Sequence, residues 1–183
     1  MQFPPGYSVR DAEPTEFGTY FEEHRRTMFP DTIDVDPMAT LPEHYREARR
    51  DRITHRASEY RLRWFILHEQ AVVGWTWGLA FDPDTFYMAN TAIAEEHRRK
   101  GVYRAVLDAL VARVSADGFS VITSRHTATN NAVIIPKLKA GFFITGMEIS
   151  DRFGTLVTLT RYLDPAREEL LRHRTGERRS SRL

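Results

Sequence analysis

Four cationic side chains surround a single glycine in the stretch EEHRRKGVYRAVLDAL, residues 95–110. Such a group suits a phosphate, because an anion needs donors that it can approach closely and a helix N-terminus supplies exposed N–H groups. Gly101 would let the backbone come close, and fixed charge would come from its neighbours Arg98, Arg99, Lys100 and Arg104. The stretch therefore predicts a polyphosphate site; a solvated basic loop that caps a helix is the alternative.

The elements around this stretch support a turn between a strand and a helix. A predicted strand ends near Ala94, and an apolar stripe of helical period begins after Gly101 and ends at Gly118. Neither the dinucleotide-binding spacing of three glycines nor the nucleotide-triphosphatase loop ending in Gly-Lys-Ser/Thr occurs in the chain. This stretch alone therefore does not identify which phosphate compound binds, and the rest of the sequence has to be considered.

The amino-acid composition excludes several kinds of site and of partner. The 183 residues include no cysteine, which excludes disulfides, thiolate metal sites and cysteine nucleophiles, and the scattered histidines predict no metal site. The formal net charge is only +1, so we expect no nucleic-acid partner. The start MQFPPGYSVR lacks an apolar signal core, and no run is long enough to span a membrane. We expect a soluble, cytoplasmic protein.

Hydrophobic periodicity predicts the first half of the fold. A strand at 7–12 and a helix from 14 to about 29 open the chain, and a loop rich in proline and aspartate leads to a polar helix over 42–59. Alternating apolar residues then predict three consecutive strands, with tight turns at 69–70 and 82–85. These strands would form an antiparallel meander.

The second half alternates helices and strands. The helix after Gly101 leads to a strand, FSVITSRH, a short helix, NNAVIIPKLKAG, and a hairpin, FFITGMEISDRFGTLVTLTRYL. This order predicts an α/β fold with a mixed, mainly antiparallel central sheet of about six to seven strands flanked by helices. We expect one domain over residues 1–163, followed by a short helix and a charged tail over 164–183.

Two segments, TAIAEEHRRKGVYRAVLDAL and ATNNAVIIPKLKAGF, resemble the central motifs of the GCN5-related N-acetyltransferase (GNAT) family. The resemblance runs from about Tyr7 to Leu163 and implies the acyl-CoA N-acyltransferase fold, with acetyl-CoA as co-substrate. In that family, a strand leads into Arg/Gln-x-x-Gly-x-Gly/Ala, whose backbone amides bind the pyrophosphate. Here the pattern runs from Arg98 to Tyr103, and Tyr103 departs from it because glycine or alanine is usual there.

The resemblance also implies a set of cofactor-binding residues. The backbone at the end of the strand would pair with the pantetheine arm, the turn would bind the pyrophosphate, and an asparagine would open the second motif. The set is Ile93, Ala94, Arg98, Arg99, Lys100, Gly101, Val102, Tyr103, Arg104 and Asn130.

The second motif departs from the family at one position. It ordinarily runs Asn, seven positions on Tyr, and four further Gly-Phe; Asn130 and Gly141-Phe142 fit, but Lys137 stands at the tyrosine position. That tyrosine commonly protonates the departing thiolate. We therefore expect Lys137 to donate a proton or to stabilise the thiolate; a solvent-facing lysine is the alternative.

The general base is less evident. Many family members carry a glutamate on the strand before the pyrophosphate loop, whereas FYMANTAI contains no carboxylate. His126 ends the strand FSVITSRH, and the ordinary histidine pKa near 6.5 suits a proton acceptor. His126 is therefore the second candidate catalytic residue; the alternative is a histidine that hydrogen-bonds the following turn.

These features predict an N-acetyltransferase that moves an acetyl group directly from acetyl-CoA to a primary amine of a small-molecule or peptide acceptor. A homodimer formed at the C-terminal hairpin would fit this fold. The missing carboxylate, the missing tyrosine and the bulky Tyr103 also leave open a non-catalytic acyl-CoA-binding module.

Overall fold

A seven-stranded sheet forms the centre of the protein. The computed structural model describes residues 2–29, 41–55 and 60–176, with only the backbone described at 51–55. The strands in these residues are Tyr7–Asp11 (β1), Arg61–His68 (β2), Ala71–Ala80 (β3), Thr85–Ile93 (β4), Val121–Thr127 (β5), Phe143–Ser150 (β6) and Gly154–Tyr162 (β7). The helices are Pro14–Met28 (α1), Glu43–His55 (α2), Val102–Ala116 (α3), Asn131–Lys139 (α4) and Pro165–Arg174 (α5).

The order of elements is the one that the sequence predicts, and the fold class is confirmed. The strands lie in the order β1-β2-β3-β4-β5-β7-β6, and only β4 and β5 run parallel. Most of the predicted loop at 29–42 and the tail beyond residue 176 lie outside the described residues. The division into a domain at 1–163 and a tail at 164–183 stays a prediction.

The parallel pair is short. Pairing between β4 and β5 covers three positions and ends at Tyr87 and Thr123. Strand β4 continues to Ile93 and β5 to Thr127. A gap therefore opens between the two strands toward their C-terminal ends.

Two glycines of β3 let β4 lie unusually close on its other side. A Cβ atom at Gly74 would overlap the carbonyl oxygen of Ala92, and one at Gly78 would overlap the ring of Phe86. Only glycine fits at these positions without a shift of the backbone. The close β3–β4 pairing fixes one wall of the gap.

A bulge interrupts β4 just beyond the last β5 pair. Trp77 lies opposite Asn90 and Gly78 opposite Met88, so Ala89 has no counterpart on β3. A bulge bends a strand and increases its twist, and this bend lies at the point where β4 and β5 separate.

Helices cover both faces of the sheet. On one face, apolar residues of α3 such as Val106 and Leu110 pack against strand residues including Ile66 and Phe86. On the other face, Phe17 of α1 packs in a separate cluster of buried side chains. Helix α3 therefore lies across the sheet with its N-terminus following β4.

Candidate active site

A buried lysine lies where β4 and β5 part. The Nζ atom of Lys137 donates to Oγ of Ser124 at 2.6 Å and to Sδ of Met88 at 3.3 Å. Ser124 and Met88 are the residues directly after the last β4–β5 pair. The side chain of Lys137 is 1% exposed, so the solvent-facing alternative is excluded.

The pKa of this lysine departs from its ordinary range. Burial lowers the pKa of Lys137 to about 7, because an ammonium group loses hydration in the interior. The ring of Phe142, 5.0 Å from Nζ, and the hydroxyl of Ser124 offset part of that loss. Near neutral pH the amine can therefore both give and take a proton.

His126 lies on the same row of side chains. Its Nε2 atom is 3.1 Å from Oγ of Ser124, two residues earlier on β5, so its hydrogen bond goes to its own strand rather than to the following turn. Burial, together with the charge of Lys137, lowers the pKa of His126 to about 3. The imidazole is therefore neutral at pH 7.

Ser124 is a site residue that sequence reasoning missed. It is completely buried and lies between the two candidate catalytic residues. The alternation in FSVITSRH offers a signal, since Ser124 occupies the inward position between Ile122 and His126. A small polar residue at a core position indicates a partner across the core.

The turn before α3 presents free backbone amides. Arg99 and Gly101 adopt left-handed conformations, with φ values of 59° and 81°. No side chain caps α3, and its first internal bond runs from the amide of Ala105 to the carbonyl of Gly101. The amides of Val102, Tyr103 and Arg104 are therefore the unpaired donors of the helix start, an arrangement that suits an anion.

The basic side chains of the turn differ in availability. Arg98 donates from Nε to the carbonyl of Ile93 at 2.8 Å, and Arg104 pairs with Asp108 at 2.9 Å. Arg99 and Lys100 are exposed. Arg104 therefore shares its charge with Asp108, although about half of its side chain (51%) is exposed.

Backbone hydrogen bonds at the end of β4 bear on two of the predicted contacts. The amide of Ala94 donates to the carbonyl of Val73, and the carbonyl of Ala94 accepts from the amide of His97, both at 2.9 Å. Both backbone groups of Ala94 therefore have partners within the protein, and its pairing with a pantetheine arm stays a prediction. Ile93 lies opposite Gly74 next to that bonded pair, so its own N–H and C=O point away from β3 toward the gap. The carbonyl of Ile93 accepts from Nε of Arg98 there, and its amide is the group left for the arm.

The remaining predicted residues lie around the same turn and gap. Val102 is buried, and the half-buried ring of Tyr103 packs inward against the core on the α3 side. Burial raises the pKa of the Tyr103 hydroxyl. Asn130 precedes α4, and its side chain caps no helix amide. The ring of Tyr103 is therefore a contact of the core on the α3 side.

Sequence comparison decides the family. The profile of the Acetyltransferase (GNAT) family matches residues 19–142, which include the turn, the gap and Lys137. The chain belongs to the GNAT family. No curated protein matches it in sequence, so the structural neighbours of this GNAT protein give the fold.

Several solved GNAT structures share that fold. The putative acetyltransferase yncA of Salmonella typhimurium, solved with acetyl-CoA, is 17% identical, with a TM-score of 0.62 over 86% of this chain and 94% of that one. The ribosomal-protein-S18-alanine N-acetyltransferase of Escherichia coli is 14% identical, with a TM-score of 0.63 over 86% and 94%. A Salmonella typhimurium enzyme that modifies the N-terminal serine of ribosomal protein L7/L12 is 14% identical, with a TM-score of 0.63 over 88% and 97%.

No group of three or more histidine, aspartate or glutamate side chains in the described residues is arranged to hold a metal ion. None of the helices in the same residues is both long and apolar enough to cross a membrane.

Proposed function

We propose that this GNAT protein is an acetyl-CoA-dependent N-acetyltransferase that acts on a primary amine of a small molecule or peptide. The observation that carries the proposal is the gap between β4 and β5, which has free amides at one end and the buried amine of Lys137 where the strands part. The GNAT family match supports acetyl transfer as the reaction class.

The residues present fit an acyl-CoA. The amides of Gly101, Val102, Tyr103 and Arg104 and the cations of the turn would bind the pyrophosphate. The amide of Ile93 would donate to the pantetheine arm as in an added strand, while its carbonyl accepts from Arg98. The neighbour yncA was solved with acetyl-CoA, which supports an acyl-CoA as the ligand.

Lys137 and His126 supply the proton chemistry in this proposal. Acetyl-CoA supplies a thioester, whose carbonyl carbon forms the new bond to the acceptor nitrogen as its bond to sulfur breaks. The sulfur keeps the electron pair and takes a proton from Lys137, and the acceptor nitrogen loses one proton. The neutral imidazole of His126 is a candidate acceptor for that proton.

Turnover with a panel of amines tests the proposal. Purified protein and acetyl-CoA are incubated with polyamines, amino acids and peptides with free N-termini, and released thiol is measured with a thiol reagent. The chain has no cysteine, so the protein adds no background. We expect amine-dependent thiol release and an acetylated product seen by mass spectrometry.

Calorimetry separates this function from its alternative. We expect acetyl-CoA to bind near 10 μM, about 7 kcal/mol, and an Arg99→Glu/Gly101→Asp variant to lose that binding. Binding without turnover of any amine would favour the acyl-CoA-binding module. No binding by the native protein would overturn the proposal.

The proposal also covers the assembly and the cellular location of the protein. We place the protein in the cytoplasm, which a chain without cysteine permits. Strand β6 is an edge of the sheet and exposes Met147 and Ile149; a homodimer through this edge would cover them.

A further inference from the structure

Three side chains of β5 and α4 form a continuous row. Nζ of Lys137 donates to Oγ of Ser124 at 2.6 Å, and that oxygen lies 3.1 Å from Nε2 of His126. Lys137 and Ser124 are buried, whereas His126 is half-buried. Ser124 therefore connects an interior amine to an imidazole near the surface.

The hydrogens of this row fit two arrangements. An ammonium group only donates, so with Lys137 charged the hydroxyl of Ser124 is left to donate to Nε2 of His126. With Lys137 neutral, its lone pair accepts from the hydroxyl of Ser124, which in turn accepts from a protonated Nε2. The two arrangements interconvert by hydrogen shifts and need no movement of a heavier atom.

The outer end of the row is open to solvent. Within the described part of the chain, Nε1 of Trp77 is the one buried side-chain nitrogen or oxygen without a hydrogen-bond partner. His126 has no bond there other than the one to Ser124. Since Nδ1 of His126 is neither bonded nor buried, solvent reaches it.

At the inner end, one partner of Nζ can carry a proton. Apart from Ser124, the hydrogen-bond and ring partners of Nζ in the described residues are Sδ of Met88 and the ring of Phe142. A thioether and a phenyl ring cannot deliver a proton. The hydroxyl of Ser124 is therefore the protein group that can return a proton to the amine, whereas the sulfur of the acyl donor would meet Nζ from the gap between β4 and β5.

Charged groups on the neighbouring elements are engaged elsewhere. Arg125 of β5 pairs with Glu148 of β6, and Arg161 of β7 donates to the carbonyl of Ala140. Arg104 pairs with Asp108 within α3. The pKa of Lys137 is lowered by burial alone, and that of His126 by burial and by the charge of Lys137. The charges of these neighbouring residues are therefore not among the causes of the two lowered pKa values.

We propose that Ser124 positions a proton path from His126 to Lys137 that reloads the amine after each acetyl transfer. This inference rests on the proposed function. When Lys137 has given its proton to the departing sulfur, Nδ1 of His126 takes a proton from the acceptor nitrogen, directly or through solvent. Nε2 then passes its own proton to Ser124, and Ser124 passes one to Lys137. The proton lost by the acceptor nitrogen balances the one taken up at Nδ1, and the neutral ring regains its Nε2–H tautomer by exchange with solvent.

The difference in basicity between His126 and Lys137 determines the direction in which a proton moves along the path. Burial lowers the pKa of His126 to about 3 and that of Lys137 to about 7, so Lys137 is the more basic of the two groups. A proton that enters at the imidazole therefore moves inward to the amine.

The first test needs no acceptor. The chain has three lysines, Lys100, Lys137 and Lys139, so lysine labelled with ¹³C at Cε gives three NMR signals, and a Lys137→Met variant identifies the buried one. In a Ser124→Ala variant we expect the pKa of Lys137 to fall by about half a unit or more, because its charged form loses an acceptor. An unchanged titration of Lys137 would overturn the proposed link.

The second test uses turnover of the amine found with the panel. We expect Ser124→Ala and His126→Ala to lower kcat by about tenfold or more while the KM for acetyl-CoA stays unchanged. Imidazole in the buffer should restore His126→Ala, whose missing group is at the open end, and should not restore Ser124→Ala. Thr160→Val is the matched control: it removes another buried hydroxyl, bonded to Thr145 at 2.8 Å, and should keep the native kcat.

Each remaining outcome is decisive. Native kcat in Ser124→Ala, native kcat in His126→Ala, or rescue of both variants by imidazole would overturn the path. If Ser124→Ala fails to fold, Ser124→Gly removes the same hydroxyl, because a loss of kcat in His126→Ala alone would also follow from the proposed role of His126 as the base. If the native protein acetylates no amine, the proposed function fails and the path fails with it, whereas a normal kcat in both variants removes the path alone.

Discussion

Arg98 donates from Nε to the backbone carbonyl of Ile93 at 2.8 Å, and this bond ties the turn before α3 to the last residue of β4. The two elements are the proposed contacts for the two parts of the acyl donor, the pyrophosphate and the pantetheine arm. This bond adds to the backbone bonds of the same segment, from the amides of His97 and Arg98 to the carbonyls of Ala94 and Glu95, in fixing the spacing of the two elements.

Replacing Arg98 with alanine should weaken acetyl-CoA binding by about tenfold or more. A hydrogen bond to a charged group contributes about 1.5 to 3 kcal/mol, and 1.4 kcal/mol corresponds to tenfold in Kd. Isothermal titration measures the change. Arg113→Ala is the matched control, because Arg113 pairs with Asp117 at the far end of α3; equal Kd values for the two variants would contradict the role of Arg98.

Replacing Gly101 with alanine should lower the free energy of unfolding by about 1 kcal/mol and weaken acetyl-CoA binding, because a left-handed φ of 81° is strained for any residue with a Cβ atom. Gly18→Ala is the same chemical change in the exposed interior of α1, where nothing lies within 4 Å of the added Cβ. It should raise the free energy of unfolding by about 0.5 to 1 kcal/mol. Urea unfolding compares the two, and a change of the same sign in both would refute the backbone argument.

Replacing Lys137 with methionine should change how stability depends on pH. The unfolded chain keeps a proton on Lys137 up to about pH 10.5, whereas the folded chain loses it near pH 7. Between these values the unfolded state binds more protons, so the unfolding free energy of the native protein rises with pH, by about 4 to 5 kcal/mol in all. The destabilisation is fully present below pH 7 and is gone above pH 10.5.

The methionine variant lacks this contribution. We expect it to be more stable than the native protein at pH 6 and to lose that advantage as the pH approaches 10, measured by denaturant unfolding across the range. Lys139→Met, at an exposed position two residues along α4, is the control and should keep the native slope. A native slope in Lys137→Met would show that Lys137 is not the buried titrating group.

Two neighbouring tryptophans should respond differently to loss of the indole nitrogen. Nε1 of Trp75 donates to Oδ1 of Asn90 at 2.6 Å, whereas Nε1 of Trp77 is buried without a partner among the described residues. Trp75→Phe should therefore cost at least about 1 kcal/mol more in unfolding free energy than Trp77→Phe, because it leaves Asn90 unpaired. Equal losses would indicate that Trp77 has an acceptor in the folded protein.

Local pattern was sufficient to predict the order of the elements. The turn at Glu69 and Gln70 was placed correctly between two alternating segments, although both residues adopt positive φ values, 47° and 73°, where glycine or asparagine is usual. The bulge at Ala89 had no such signal. It depends on how β4 pairs with β3, and it places Met88 and Ala92 in different core clusters although strict alternation would put them on one face.

The site was less predictable than the fold. The segment NNAVIIPKLKAG contains two lysines, Lys137 and Lys139. Only the packing of α4 against β4 and β5 buries Lys137 and leaves Lys139 exposed. The engaged backbone of Ala94 likewise depends on pairing with Val73, far away in sequence. Long-range contacts of this kind leave no mark in a local sequence pattern.

The position of Lys137 in the proposed site also makes this lysine a possible target of acetylation. An amine that is half neutral near pH 7 is a nucleophile, and in the proposed site it lies beside the thioester that other amines attack. Self-acetylation of Lys137 would remove its basicity and inactivate the enzyme. In the proposed row the hydroxyl of Ser124 occupies the lone pair of the neutral amine, so the serine that reloads Lys137 would also protect it from acetylation.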